Sequence, residues 1–228
     1  MKEAKPVSEL SASGRTAGRP PIPVEAIVAT ALQIVDEEGA EALTLRALAQ
    51  RLESGTATLY RHFVNRADLI DRVVDRVLGE VELDPADLSG TTWQEACLKG
   101  AGAVFSALSR HKNVAPLLVG QLPTGSNAMA HRERLIAVLL QNGFPPRLAA
   151  MAYATLAHYV LGFAMQLPAR RLGEESRDGA VALPVAPPSQ FPATSAVAEF
   201  LPVSLETEFA FGAELIVKGL EALLEDCK

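Results

Sequence analysis

Between residues 45 and 66 lies a short stretch dense in groups that bind phosphates and base edges. Arg46 and Arg51 fall in a first apolar-patterned segment, and Thr56, Thr58, Tyr60, Arg61 and His62 fall in a second, with Arg66 just beyond. Threonine and tyrosine hydroxyls, guanidinium groups and imidazole are the donors that hold a nucleic-acid backbone and read its grooves. Glu53, Ser54 and Gly55 separate the segments, giving two short helices, 45–52 and 56–63, with the proportions of a helix-turn-helix. From Thr44 to Arg66 there are four arginines (46, 51, 61, 66) and one acid, Glu53, a balance of +3. The whole chain of 228 residues carries −6, which on its own argues against binding DNA. On spacing and charge alone, a DNA-reading motif and an ordinary solvated helical hairpin fit equally well.

Other chemistries find little support. His62, His111, His131 and His158 share no metal-ligand spacing, and Cys97 and Cys227 are too far apart to suggest a zinc set or a disulfide framework. Gly100 and Gly102 fall inside a helical pattern with no strand before them, so they are not a dinucleotide fingerprint. Neither a nucleophile elbow nor a phosphate-cradling loop nor a zinc-protease motif occurs. The expectation is no enzyme, no cofactor and no metal.

The elements that must position these residues are helical. Alanine and leucine supply 37 and 31 residues, both strong helix formers, which predicts an all-α fold. Residues 1–22 read as a flexible arm. A first helix starts near Pro23 and stops at Gly39, with Ile27, Ala31, Leu32 and Val35 on one face. Thr44 caps the second helix, and Asn65 with Asp68 caps the fourth, where Val64 can staple against Leu69. That fourth helix, 66–82, is apolar on a wide stripe and should bridge two lobes. After a loop at 84–90, Thr92 with Glu95 forms a capping box that opens a helix to about Arg110. Helical patterns follow near 112–119, 126–142, 146–166, 194–201 and 204–226, and the proline-rich stretch 167–192 reads as a mobile loop. The organisation expected is an arm (1–22), a helix-turn-helix domain (23–66) and a larger domain (67–228). The N-terminus has no apolar leader and no stretch of about 18 apolar residues is present, so a cytoplasmic location is expected.

The runs LTLRALAQRL (43–52) and ATLYRHFVNRADL (57–69) closely resemble the DNA-binding domain of the tetracycline-repressor (TetR) family. LLQNGF (139–144), HYVLG (158–162) and FAFGAELIVKGLE (209–221) look like the ligand-binding domain of the tetracycline repressors. The resemblance implies a homodimer that binds a double-stranded operator and releases it on binding a small molecule. It places Arg46, Thr56, Ala57, Thr58, Tyr60, Arg61, His62 and Arg66 at the DNA, with Arg15 and Arg19 able to reach a minor groove. Arg61 stands where the tetracycline repressors carry an aromatic residue, which implies a different operator. Dimerisation falls on the helices at 146–166 and 204–226, through Tyr153 and Val160 on one and Phe209, Gly212, Ile216, Gly219 and Leu223 on the other. The spacing of three and four residues in the second set, with two glycines, suits a close helix contact.

The same resemblance places ligand contacts at Gly100, Val104, Leu118 and Gln166. Leu118 and Gln166 stand where tetracycline repressors place the His and Glu that hold the drug's Mg²⁺, and neither suits that ion. A more apolar effector is therefore expected, with Gln121, Arg134, Tyr153 and Gln166 as polar fixing points. His158 is expected in the core. Residues 199–228 hold seven acids and two lysines, so much of the negative charge belongs to the C-terminal segment and not to the reading motif.

Overall fold

A computed structural model describes residues 22–83, 90–168 and 189–227. The expected arm, most of the 167–192 stretch and the 84–89 loop lie outside the described residues, Arg15 and Arg19 among them. The described residues form helices and turns with no strand: α1 (Val24–Glu38), α2 (Leu45–Arg51), α3 (Thr56–Leu59), α4 (Arg66–Leu78), α5 (Trp93–Arg110), α6 (Ser126–Gln141), α7 (Pro146–Ala164), α8 (Pro192–Val197) and α9 (Leu205–Glu225).

Local side-chain caps open four of the nine described helices. The Thr44 side chain accepts the Ala47 amide at the start of α2, and the Ser204 hydroxyl accepts that of Thr207 in α9. Thr92 and Glu95 form the full reciprocal box at α5. At α4, Asn65 accepts the Asp68 amide, while the Asp68 carboxylate reaches one residue further back, to the Val64 amide at 3.1 Å. Val64 itself is 84% exposed, so it makes no staple with Leu69. Gly39 ends α1 with φ 93°, a conformation that side-chain-bearing residues avoid.

Several elements are shorter than the sequence suggests. The reading helix α3 is a single turn, and residues 60–62 continue as turns with Leu59 and Phe63 both buried. The bridging helix stops at Leu78 and not at 82. The 112–119 pattern yields only a 3-10 turn at Ala115–Leu118, and the expected 194–201 helix is α8 followed by a 3-10 turn at Ala198–Phe200. Leu167, expected at the start of a loop, is buried in the core.

Two apolar clusters hold the chain together. The larger runs from α1 to α3 through Leu69, Val73 and Val77 of α4 into Phe105, Val160 and Phe209. The smaller joins Trp93, Leu139, Phe144, Leu156, Val217 and Leu224 at the far end of the bundle. Helix α4 packs on α1 on one side and on α5 and α6 on the other, which makes it the mechanical link between the small N-terminal helices and the rest. No helix among the described residues is long and apolar enough to cross a membrane.

Candidate nucleic-acid interface and effector cavity

The small N-terminal unit presents one polar face. Leu48, Ala49, Leu59 and Phe63 point inward and fix α2 and α3 against α1. This leaves Arg46, Thr56, Ala57, Tyr60, Arg61 and Arg66 exposed, with Thr58 and His62 half-buried beside them. Tyr60 is 60% exposed, so its ring and hydroxyl are open to solvent on this face. Arg66 donates Nε to the Leu43 carbonyl at 3.0 Å, which ties the start of α4 to the approach of α2 while the residue stays exposed. Arg51 is not part of this face: it pairs with Glu37 at 2.7 Å and with Glu38, both on α1. The free positive charge on the face thus comes from Arg46, Arg61 and Arg66.

A cavity of about 700 Å³ opens in the larger lobe between the end of α4, α5, residues 118–123, α6 and α7. Gly100, Val104, Leu118, Gln121, Arg134 and Tyr153 all line it, whereas Gln166 lies outside, exposed beyond the end of α7. The resemblance carried Gln166 into the ligand set, but α7 stops at Ala164 and the chain turns there. Three polar wall residues were not among the expected ligand contacts: His131, Arg132 and His158. His158 was expected in the core and is instead exposed at the cavity. An i, i+3, i+4 count along α6 from Ala128 to Leu135 would have found His131 and Arg132. Arg132 donates to the Tyr153 hydroxyl at 3.2 Å and to the Pro123 carbonyl at 2.9 Å, and lies 5.8 Å from the centre of the Tyr153 ring. His131 bonds through Nε2 to the Leu78 carbonyl at 2.9 Å.

Helices α4 and α6 are also clasped. Glycine at position 125 offers α6 no side-chain cap, and Asp75 of α4 takes that role. One carboxylate oxygen of Asp75 accepts the amides of Asn127 and Ala128, each at 2.9 Å. The other accepts from the Asn127 side chain at 3.2 Å. One turn earlier, Asp71 accepts both the amide (2.9 Å) and the hydroxyl (2.8 Å) of Thr124. A Cβ on Gly125 would overlap the Asp75 carboxylate, so the glycine permits this close approach. A second tie joins α5 to the N-terminal unit: His111 meets Asp36 of α1 at 2.8 Å and Glu80, just past α4, at 3.0 Å.

The expected dimer residues divide. Val160 and Phe209 are buried inside the protomer, where Phe209 stacks on Phe105 with ring centres 4.3 Å apart. Gly212 makes room for Tyr159 of the same chain, whose hydroxyl donates to the Phe209 carbonyl at 2.7 Å. Ile216 packs half-buried on the smaller cluster, and Tyr153 faces the cavity. Only Gly219 and Leu223 lie on the open face of α9, together with Phe211 and Leu215.

Comparison with known proteins assigns a family to both parts of the chain. Residues 27–73 match the model of bacterial regulatory proteins of the tetR family, and residues 84–224 match the tetracyclin repressor-like C-terminal domain. The tetracycline repressor protein class G of Vibrio anguillarum is 28% identical over 202 residues, 86% of this chain and 92% of that protein. The HTH-type transcriptional repressor DrrR1 of Streptomyces coeruleorubidus is 28% identical over 225 residues, 93% of this chain and 83% of that protein. Among solved structures, the Streptomyces coelicolor TetR family protein ActR in complex with actinorhodin is 32% identical with a TM-score of 0.75, covering 90% of this chain and 99% of that one. The chain therefore belongs to the tetR family of bacterial regulatory proteins and is a DNA-binding transcriptional regulator with a tetracyclin repressor-like C-terminal domain.

Proposed function

We propose that the protein is a cytoplasmic homodimeric repressor that acts by binding and not as an enzyme, released from a palindromic operator by a small, largely apolar effector held in the cavity. The observation that carries this is the placement of α4: one end sits under the reading face at Arg66, and the other, Leu78, is part of the cavity wall. In a dimer the two faces would stand about 34–36 Å apart to meet successive major grooves. Effector pressing on the wall would move α6, and the Asp75 and Asp71 contacts would carry that movement into α4. Operator and effector then weaken each other by one common factor.

The open faces of α7 and α9 are proposed as the dimer contact, with Phe211, Leu215, Gly219 and Leu223 along α9 and Met151, Thr155, His158 and Gly162 along α7. The first set recurs every four residues and the second at four and three, and both are exposed in the single chain. The effector is proposed to bind without a Mg²⁺ complex. Leu118 lines the cavity, Gln166 is outside it, and no carboxylate faces it from the described residues. An activator, or a binding module without operator release, is less well supported, since the Vibrio and Streptomyces coeruleorubidus relatives both carry the name repressor.

The test is selection of binding sites from a random duplex pool, followed by anisotropy titration of the recovered duplex. An Arg46→Ala, Tyr60→Ala double variant should lose the duplex and stay dimeric. Recovery of no duplex by the wild-type protein would overturn the reading.

A further inference from the structure

The polar side chains of the cavity wall are all neutral or basic: Gln121, His131, Arg132, Arg134, Tyr153 and His158, with neither an aspartate nor a glutamate among the described wall residues. The chain has 27 acids, so their absence here is a property of the site and not of the composition. Half of these polar groups are already engaged. Arg132 is bonded to Tyr153 and Pro123, and His131 to Leu78. Arg134 is half-buried at the wall and has no ion pair or hydrogen bond among the described residues. A guanidinium group stays charged in any protein environment, so it cannot relieve partial burial by losing its proton. A charge withdrawn from water without a partner is unfavourable, and a bound anion removes that cost.

We infer that the effector is an acid: an apolar, ring-sized body carrying one ionised carboxylate, sulfonate or phenolate group, which pairs with Arg134. This rests on the proposal that the cavity is the effector site, and it adds the chemical class. The apolar body lies against Val104, Leu108, Leu135 and Leu161, and Gln121 supplies a further donor to the acid. The arrangement disfavours a cationic ligand, because two guanidinium groups would face it with no counter-charge.

Two fluorescent probes of nearly one shape test this: 1-anilinonaphthalene-8-sulfonate, which is anionic, and N-phenyl-1-naphthylamine, which is neutral. Titrations would use the full chain, with Arg134→Gln, Arg134→Lys and Val104→Trp variants. The sulfonate should bind tighter than the amine to the wild type. Arg134→Gln should weaken it at least about tenfold, the scale of one charge-assisted hydrogen bond, with partial rescue by Arg134→Lys. The neutral probe should change less than about twofold, which also reports that the variant is folded. Tighter binding of the neutral probe, or equal weakening of both by Arg134→Gln, overturns the inference while leaving the cavity as the effector site. If Val104→Trp, which fills the cavity, affects neither probe, the cavity is not a binding site and both readings fail.

Discussion

If Asp75 is the element that carries movement from α6 to α4, removing it should uncouple two binding events that each survive alone. The carboxylate caps the first turn of α6, accepting the Asn127 and Ala128 amides at 2.9 Å, and Gly125 provides no substitute. Loss of an N-cap costs about 1 kcal/mol, within a range of roughly 0.5–2. A negative charge at a helix start adds about 0.3–1 kcal/mol. Asp75→Ala should therefore lose about 2 kcal/mol, and for a chain of this size each kcal/mol lowers Tm by about 2–4 °C. A fall of roughly 4–8 °C is small enough to leave the dimer folded at 25 °C.

The functional change should be larger than the stability change suggests. Allosteric coupling in such systems typically amounts to 5–150-fold in affinity, about 1–3 kcal/mol, which the clasp matches in size. In an anisotropy assay, effector would be titrated into the protein–operator complex, and operator affinity measured with and without saturating effector. Asp75→Ala should bind operator and effector separately within about threefold of wild type, while the ratio linking them falls at least about fivefold. Asp75→Asn, which keeps one acceptor oxygen, should fall between. An Asp75→Ala protein that binds both partners and retains the wild-type ratio would refute this route, and the His131–Leu78 bond would be the next to test.

Four further outcomes are expected. Arg61→Ala should reduce the slope of log affinity against log salt by about 0.9 for each phosphate no longer neutralised, hence about 1.8 in a dimer, if its role is at the backbone and not at a base. Leu215→Arg, at a position 53% exposed in the single chain, should yield monomers by sedimentation while the helical circular-dichroism signal is retained. Gly212→Ala should lower Tm, because its methyl group would overlap the Tyr159 hydroxyl at a cost of about 1–3 kcal/mol; in a Tyr159→Phe background the loss should shrink, a non-additivity read from a double-mutant cycle. Burial pushes the Cys97 thiol up to about 12, so at pH 8 only the exposed Cys227 should react with a disulfide reagent in the native protein, and Cys97 only after unfolding.

Features written in neighbouring residues were legible in the sequence, and features written across the fold were not. The caps at Thr44, Asn65 and Thr92 each involve a residue three positions away, and each forms. Gly100 and Val104 on the cavity wall of α5 came from the family resemblance and not from spacing. The Asp75 clasp was invisible because its partners lie about 50 positions further on, and because Gly125 and Ser126 look like an ordinary helix start. Helix α9 shows the limit most clearly. Its inner face carries Phe209, Ala213, Val217, Leu220 and Leu224, and its outer face carries Phe211, Leu215 and Leu223. A periodicity count finds apolar residues on both sides and cannot say which side meets the protomer's own core. The glycines seemed to decide the matter, since close helix contact needs small residues. In the fold Gly212 serves Tyr159 within the protomer, while Gly219 has open space around it. A helix apolar on two faces calls for two partners, and the described residues supply only the inner one, which is why the outer row of Phe211, Leu215 and Leu223, and not the row through Phe209, is the one proposed to meet a second copy.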